Sequence, residues 1–522
     1  MQSAEVTTGT TETLALMVER HVQQRPDDVA IRFGEQQWSW AQWAQRIQRS
    51  AGALQGLGLR RGECVAFLDK NHPACLETFI AASSIGAVAT IVNWRVLGDE
   101  LAHVLNDSGA RVLLVGAELK PAVEAIKTRL PGLERIVVVG GDEDEYESLL
   151  DAAAPVAVDP DLSDDDAALT IYSSGTTGRP KGVQLTQRAL VNHIVNLASP
   201  MPFGDGDANL VAMPLFHVGG IAYAFFGIRA GAPTFLTREP DAATLIGAVK
   251  AGATHAFFVP PVIARFLDAG EAAIGAISGL RYVVYGAAPM PLPLLQQALA
   301  AWPGTNFVQV YGQTELCGGI ATLNAEDHRD TGRPQLLLSA GKAAPGNEVR
   351  IVDPESGDEQ PAGEAGEIWV RSDQRMIGYL NRPEATAETI TADDWVRTGD
   401  IGRLDAEGYL YIEDRLKDMI ITGGENVYGP EVESVLIEHP AVTDAAIIGI
   451  PDDHWGESVK AIVVTTGEVE SRDIIDFCRE HLAGYKCPRT VDFTTELPRN
   501  ASGKILKNQL REPYWKDRGR RV

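Results

Sequence analysis

Apolar and polar positions alternate from Val29 to Phe33, the period of a strand. From Trp43 through Ile47, Ala51 and Leu54 the apolar residues instead recur at helical spacing. Short β-rich runs, VLLV at 112–115 and IVVV at 136–139, then alternate with Ala- and Leu-rich helical stretches to about residue 310. That alternation predicts a layered α/β architecture with largely parallel sheet. Between 341 and 415 the texture changes to short strands and turns, as in PESGDEQPAGEAGEIWVRS and DAEGYLYIEDR, which predicts a small β-subdomain. Beyond Arg415 a new unit begins: strand-like 419–421, helical 430–438, strand-like 445–450 and helical 471–482. The expected fold class is α/β, with a large N-terminal domain over 1–416, its part 340–416 β-rich, and a small α+β domain over 417–522. The acidic runs 142–147 (DEDEYE) and 159–166 (DPDLSDDD) read as solvated connections.

Composition narrows the function classes. At 522 residues the chain is too long for one core, and 45% hydrophobic with 22% charged residues is the balance of a soluble globular protein. Its 71 acidic against 46 basic side chains leave a net charge of −25, which argues against a nucleic-acid groove or a broadly basic membrane face. Any anion it binds must be held by local devices. Cys64, Cys75, Cys317, Cys478 and Cys487 are odd in number and lack metal-ligand spacing, so they read as reduced, buried thiols of a cytoplasmic protein. The start, MQSAEVTTGTTETL, has neither a basic segment nor an apolar one, so no secretory signal is expected. The longest apolar stretch, 214–236, is interrupted by His217, Arg229 and glycines, and fits buried strand and helix rather than an integral membrane segment. The basic end, WKDRGRRV, reads as a solvated tail.

Candidate chemistry starts at 173–182, SSGTTGRPKG, a stretch with no side chain able to fill a core. It is not a P-loop, because Lys181 is followed by Gly182 and the flanks 169–172 and 183–185 are strand-like, with a helix only after Thr186. A mobile strand-to-strand loop of this kind can bring backbone close to an anion, donate from its hydroxyls and N–H groups, and add the charge of Lys181. Taken alone, linker and phosphate loop fit it equally well.

Further motifs follow in order: YSSGTTGRPKGV from Tyr172, PLFHVGG from Pro214, YGAAP from Tyr285, YGQTE from Tyr311, WVRTGDIG from Trp395, YIEDRLKDMIITGGENVYGPEVE from Tyr411 and LPRNASGKILK from Leu497. With these the chain, from about residue 10 to 513, resembles the adenylate-forming superfamily of acyl-CoA synthetases, luciferases and peptide-synthetase adenylation domains. The pattern is most similar to bacterial fatty acyl-CoA synthetases, with aryl-CoA ligases nearby. The resemblance implies ATP, Mg²⁺ and coenzyme A as partners and a two-step reaction. A carboxylate attacks the α-phosphate of ATP and releases pyrophosphate; the thiol of coenzyme A then attacks the acyl carbon and AMP leaves.

The same resemblance assigns residues. Lys504 is the expected catalytic cation, offsetting charge that grows in the transition state, with Lys507 as the nearby decoy. Thr314 contacts phosphate, and Glu315 holds the Mg²⁺. Ser173, Ser174, Gly175, Thr176, Thr177, Gly178 and Lys181 form the phosphate clamp. Gly286, Ala287 and Ala288 let adenine lie against backbone, with Tyr311 stacked on the ring, and Gly312 is a further nucleotide-binding residue. Asp400 accepts from the ribose hydroxyls, with Ile412 and Arg415 beside it. The C-terminal domain becomes a mobile lid that turns about Lys417, two residues after Arg415, and Gly423 and Gly424 let the pantetheine arm pass. Many relatives have Pro directly after the Tyr of YGPEVE, whereas this chain has Gly429 and then Pro430.

His217, Val218, Gly219, Gly220, Phe258, Val259, Tyr285, Gly312 and Gly318 are expected to line the acyl site, its glycines leaving room for a long chain or a bulky ring. No Arg or Lys stands among these positions, which argues against malonate-like acids. The expected activity is an ATP-dependent acid–CoA ligase acting on a hydrophobic small-molecule acid, a fatty acid first. Alternatives are an aryl, alicyclic or steroid-derived acid, transfer to a carrier protein, and an inactive nucleotide- or acyl-binding scaffold. A homodimer is compatible with the sequence, which does not itself fix an assembly.

Overall fold

The computed structural model describes residues 12–173, 179–499 and 503–516. Two large sheets form the N-terminal domain. The first runs, in spatial order, Gly378–Tyr379, Lys181–Thr186, Ala167–Ser173, Val88–Ile91, Cys64–Leu68, Ala110–Gly116 and Arg135–Val139. Its last five strands pair parallel, while Lys181–Thr186 pairs antiparallel with Ala167–Ser173. The second sheet has nine strands, five consecutive pairings of them parallel, from Asn306–Gln313 through Tyr282–Gly286, His255–Phe258, Asn209–Val211 and Thr234–Leu236 to Val29–Phe33.

Between the sheets lies one shared core. Val65, Phe67, Val112 and Leu114 reach it from the first sheet, Val211, Phe257, Val284 and Val308 from the second. The helices Trp40–Gly56, Pro73–Ser84 and Val218–Ala230 fill the space between. The helix Trp40–Gly56 shows why: Ser39 and Gln42 close a capping box at its start, and Trp40, Trp43, Ile47, Ala51 and Leu54 form one buried stripe. Each sheet buries its other face too. Leu68, Leu113 and Val115 pack on Leu101 and Leu105, while Phe258, Val283, Tyr285 and Phe307 pack on Ile263, Leu295 and Ala298. The domain is therefore layered α/β/α/β/α, and neighbouring residues of one strand belong to different cores.

The β-subdomain is a four-stranded antiparallel sheet of Asn347–Val352, Gly366–Ser372, Trp395–Leu404 and Leu410–Arg415. Two short strands stitch it to the rest: Lys342–Ala343 pairs with Gly318–Leu323, and Gly378–Tyr379 pairs with Lys181–Thr186. The C-terminal unit is α+β. Its sheet of Ile420–Thr422, Glu425–Val427, Val442–Asp452, Gly456–Thr465 and Thr490–Phe493 carries the helices Gly429–Ile437 and Ser471–His481 on one face. On the other face the helix Lys507–Trp515 packs through Leu510 and Tyr514 on Ala446, Ile448 and Ile462.

Two sequence expectations change. The run 142–147 is not merely solvated: Asp144 caps the helix Glu145–Ala152, Tyr146 is buried with its hydroxyl donating to Glu77 at 2.9 Å, and Glu147 pairs with Arg46 at 2.5 Å. At the basic end, Trp515 is packed rather than solvated, its indole N–H donating to the Gly449 carbonyl at 3.0 Å; residues 517–522 lie outside the described ones. All five cysteines are buried and unpaired. Among the described residues no helix is long and apolar enough to cross a membrane.

Candidate active site

Antiparallel pairing places Asp400 of Trp395–Leu404 directly opposite Arg415 of Leu410–Arg415. Arg415 Nε lies 2.5 Å from Asp400 Oδ1, and the Tyr311 hydroxyl donates to Asp400 Oδ2 at 2.7 Å. Gly399 supplies the turn before Asp400 at φ +68°, with its N–H donating to Glu367 at 3.0 Å. Tyr311 is thus held by its hydroxyl, and burial together with Asp400 pushes that hydroxyl's pKa far up. Ile412 stands on the same strand as Arg415.

Lys504 comes to this pair from the other unit. The preceding Gly503 lies against Pro261, where an added Cβ would stand 3.1 Å from the proline ring. Lys504 is half-buried, and its ammonium is pushed down to about 8 by burial first and the Arg415 charge next, with Asp400 and Asp418 opposing and Lys417 adding least. Lys507, the decoy, pairs with Glu433 at 2.8 Å within its own unit. Burial works to lower its pKa, but Glu433 and Asp414 outweigh that and hold it above the ordinary value. The carbonyl of Lys417 accepts from Arg511 at 3.0 Å, and Arg511 also pairs with Asp418.

On the phosphate side, Ser173 and Lys181 face each other across the antiparallel pairing of their strands. Ser174, Gly175, Thr176, Thr177 and Gly178 lie outside the described residues. Lys181 Nζ stands 4.8 Å over the Tyr379 ring, and the Tyr379 hydroxyl donates to Glu315 Oε1 at 2.7 Å. The Met376 N–H donates to the Glu315 carbonyl at 2.8 Å, so one loop grips Glu315 twice. Thr314 opens the single 3₁₀ turn that carries Glu315. The sequence reading missed Tyr379, since no spacing within the chain announces a partner 64 residues away. Glu315 fits a Mg²⁺ ion: a phenol fixes its Oε1, and a single carboxylate suits a metal that keeps water and substrate oxygens.

Several expectations about the acyl side need correction. Phe258 and Tyr285, expected to line it, are fully buried side chains. Both point into the outer core, Tyr285 with its hydroxyl 2.8 Å from His328, whereas Phe257 points inward toward Gly219. Alternation along a strand forces this division. Three of the four glycines credited with making room answer to other neighbours. An added Cβ would stand 2.1 Å from the Pro214 carbonyl at Gly220 and 1.8 Å from the Gly318 carbonyl at Gly312. Gly318 itself has φ +118° and would press on His193. Gly286, expected beside adenine, is required by the Val310 carbonyl at 2.3 Å, with Ala287 left-handed at φ 64°; Ala288 follows at the strand end. Gly423 and Gly424, expected to let pantetheine pass, form a two-residue hairpin turn at φ +62° and +88°, with Gly423 against Trp455.

What remains inward-facing is apolar. Val218 opens the helix Val218–Ala230, Gly219 faces Phe257 and Met213, and Val259 packs on the inner core. His217 precedes that helix; burial first and Arg95 second push it down to about 4, so it is neutral, and its Nε2 is buried without a hydrogen-bond partner. Arg95, which sequence spacing did not reveal, sits 4.1 Å over the Trp94 ring and 5.8 Å over Phe216. A cation near His217 removes the argument against acids with a second anionic group.

Residues 18–380 match the family described as AMP-binding enzyme, and residues 431–504 match the AMP-binding enzyme C-terminal domain. The fatty acid–[acyl-carrier-protein] ligase ScoC of Streptomyces coeruleorubidus is 36% identical over 523 residues, covering 98% of each chain. A feruloyl-CoA synthase of an Amycolatopsis species is 37% identical over 499 residues, covering 95% of this chain and 98% of the relative. Among solved structures, the o-succinylbenzoate CoA synthetase MenE of Bacillus subtilis, in complex with the acyl-adenylate intermediate OSB-AMP, matches with TM-score 0.83 and 31% identity. That match covers 95% of this chain and 97% of the other, and MenE is also solved with ATP and magnesium.

Proposed function

The chain belongs to the AMP-binding enzyme family and is an AMP-forming acid–CoA ligase, and from that premise we propose that its acid is hydrophobic, a fatty acid first. The observation that supports this reading is the apolar surroundings of a neutral His217, with Val218, Met213 and Phe257 in the same core. An apolar wall with few polar groups favours an apolar acid.

The roles follow from position. Asp400, already fixed by Arg415 and Tyr311, keeps lone pairs for the ribose hydroxyls. Lys504 is the catalytic cation: beside Arg415, it meets negative charge as the acid's carboxylate oxygen bonds to the α-phosphorus and the bond to pyrophosphate breaks. Glu315, aimed by Tyr379, holds Mg²⁺, which neutralises phosphate charge when bound. In the second step the sulfur of coenzyme A bonds to the acyl carbon, the carbon–oxygen bond to AMP breaks, and the thiol proton passes to solvent. Because Lys504 belongs to the first step, the C-terminal unit, taken from Lys417 onward, swings away before the thiol enters.

Incubation with ATP, Mg²⁺, coenzyme A and a panel of fatty, aryl and alicyclic acids tests this by the AMP and acyl-CoA formed. Fatty acids should give the highest kcat/KM; a preference for ferulate-like acids would overturn the substrate assignment. Similarity to ScoC favours one second reading, in which a phosphopantetheinyl carrier protein takes the acyl group. Faster transfer to such a carrier than to coenzyme A would establish it.

A further inference from the structure

We propose that Asp414, Gly429, Lys507 and Glu433 form a latch across the Lys417 boundary that holds the C-terminal unit with Lys504 in the site; this rests on the reading of Lys504 as the adenylating cation. Asp414 stands on Leu410–Arg415 in the four-stranded sheet, and Gly429 opens the helix Gly429–Ile437 on the sheet of the C-terminal unit. The Asp414 carboxylate is buried and bridges the two: its Oδ1 accepts the Arg415 N–H at 2.7 Å, its Oδ2 the Gly429 N–H at 2.8 Å. An N–H in the first turn of a helix has no partner within the helix, and that end of the helix attracts negative charge. The first helix of the lid is therefore capped by a carboxylate of the large domain.

Lys507 completes the latch. It begins the helix Lys507–Trp515 and pairs with Glu433, whose Oε1 also accepts the Ile447 N–H at 2.8 Å. A Cβ on Gly429 would stand 2.5 Å from Lys507 Nζ and 3.4 Å from Asp414 Oδ2, so ammonium and carboxylate meet around the side chain that Gly429 lacks. Proline at 429 would have neither the N–H nor the space. Arg511, paired with Asp418 and the Lys417 carbonyl, ties the last helix to the segment just past the boundary. Lys507 therefore travels with the C-terminal unit, while Asp414 stays behind. Turning the unit about Lys417 separates Asp414 from Gly429 and Lys507 together, and removes Lys504, three residues before Lys507, at the same moment. Asp414 and Lys507 are thus positioning residues, acting through Lys504.

Lys507→Met and Asp414→Asn, made separately, test this with three measurements. Acid-dependent ATP–pyrophosphate exchange reads the first step, and transfer from supplied acyl-adenylate to coenzyme A reads the second. The spacing between nitroxides at Asp151→Cys and Arg472→Cys, both exposed while the native cysteines are buried, reads lid orientation without any acid. Each variant should slow exchange about tenfold, leave transfer at or above the native rate, and add a second spacing to a distribution dominated by one in the native chain. Equal loss of both steps, or an unchanged distribution in both variants, would overturn the latch. Should the native chain form no adenylate from any acid, the functional reading fails and the spacing measurement alone decides the latch.

Discussion

Adenylate formation should switch off as pH rises through about 8, because the ammonium of Lys504 is pushed down to that value in the ligand-free site. Above it one proton is lost, so kcat/KM for ATP, which reports the free enzyme, should fall about tenfold per pH unit and stand roughly tenfold below its plateau at pH 9. ATP brings negative charge to the lysine, so the fall in kcat should lie at higher pH than that in kcat/KM. Acid-dependent pyrophosphate exchange from pH 6.5 to 10 reads both. Lys504→Met should lower exchange by roughly 10²–10³, the loss typical of removing one preorganised group that stabilises transition-state charge, and should abolish the alkaline limb. Lys504→Arg, charged throughout, should lose the limb while keeping a reduced rate. Persistence of a limb near pH 8 in Lys504→Met, or a native rate in that variant, would refute the assignment. Stability carries the opposite sign. Between about 8 and the ordinary lysine value the unfolded chain binds more protons than the folded one, so this site adds stability as pH rises across that window. Below it the buried charge costs about 3 kcal/mol, and Lys504→Met should therefore withstand heat better than the native chain at pH 7.

Tyr379→Phe removes the hydroxyl that fixes Glu315, and a hydrogen bond to a charged group is worth about 1.5–3 kcal/mol, so calorimetry should show Mg²⁺-dependent ATP binding weakened about tenfold or more. Phe257→Ala should shift the preference among acids, whereas Phe258→Ala should leave the preference alone and cost about 3–5 kcal/mol in urea unfolding. Gly312→Ala should lower unfolding stability by more than about 2 kcal/mol because its Cβ meets the Gly318 carbonyl; a changed chain-length preference at native stability would restore the idea that this glycine opens the pocket.

How much was legible depended on the kind of information each residue carries. Periodicity located Val29–Phe33 and the stripe of Trp40–Gly56 because one period suffices to mark an element. Motif order singled out Asp400, Arg415 and Lys504, which the fold brings to one place from a β-subdomain and a separate unit. The strand HAFF at 255–258, by contrast, is buried on both faces, so no polar position marked which phenylalanine faces inward. Glycine is silent in another way: its missing side chain can serve a ligand, a neighbouring backbone or a positive φ, and Gly220, Gly312 and Gly423 chose the latter two. Tyr379 meets Glu315, and Arg95 meets Phe216, only through pairing and packing between distant segments, which no local pattern encodes.

A chain of net charge −25 that must hold ATP can do so only where cations are crowded, and they are crowded at the domain boundary. Arg415, Lys417 and Lys504 act on one another there, and Arg415 and Lys417 both push the Lys504 ammonium toward its neutral form. Burial lowers its pKa most, and Asp400 and Asp418 oppose the two cations, so bringing Lys504 home without nucleotide works first against loss of solvent around its charge. The Asp414–Gly429–Lys507 latch pulls the other way. A polyanion beside the cations changes the balance: it compensates the buried ammonium in the Lys504-in orientation and gains less in any orientation that carries Lys504 away. A ligand shifts an equilibrium only by its difference in affinity for the two states, and this difference is built into where the cations sit. Release of pyrophosphate then withdraws most of the negative charge, the cost of the buried ammonium returns, and the latch opposes the turn that admits coenzyme A. On this argument latch strength is bounded on both sides: too weak, and Lys504 is rarely present for the first step; too strong, and the second step waits on opening. A variant with a strengthened latch should therefore show kcat limited by thioester formation while its pyrophosphate exchange is at least as fast as in the native chain.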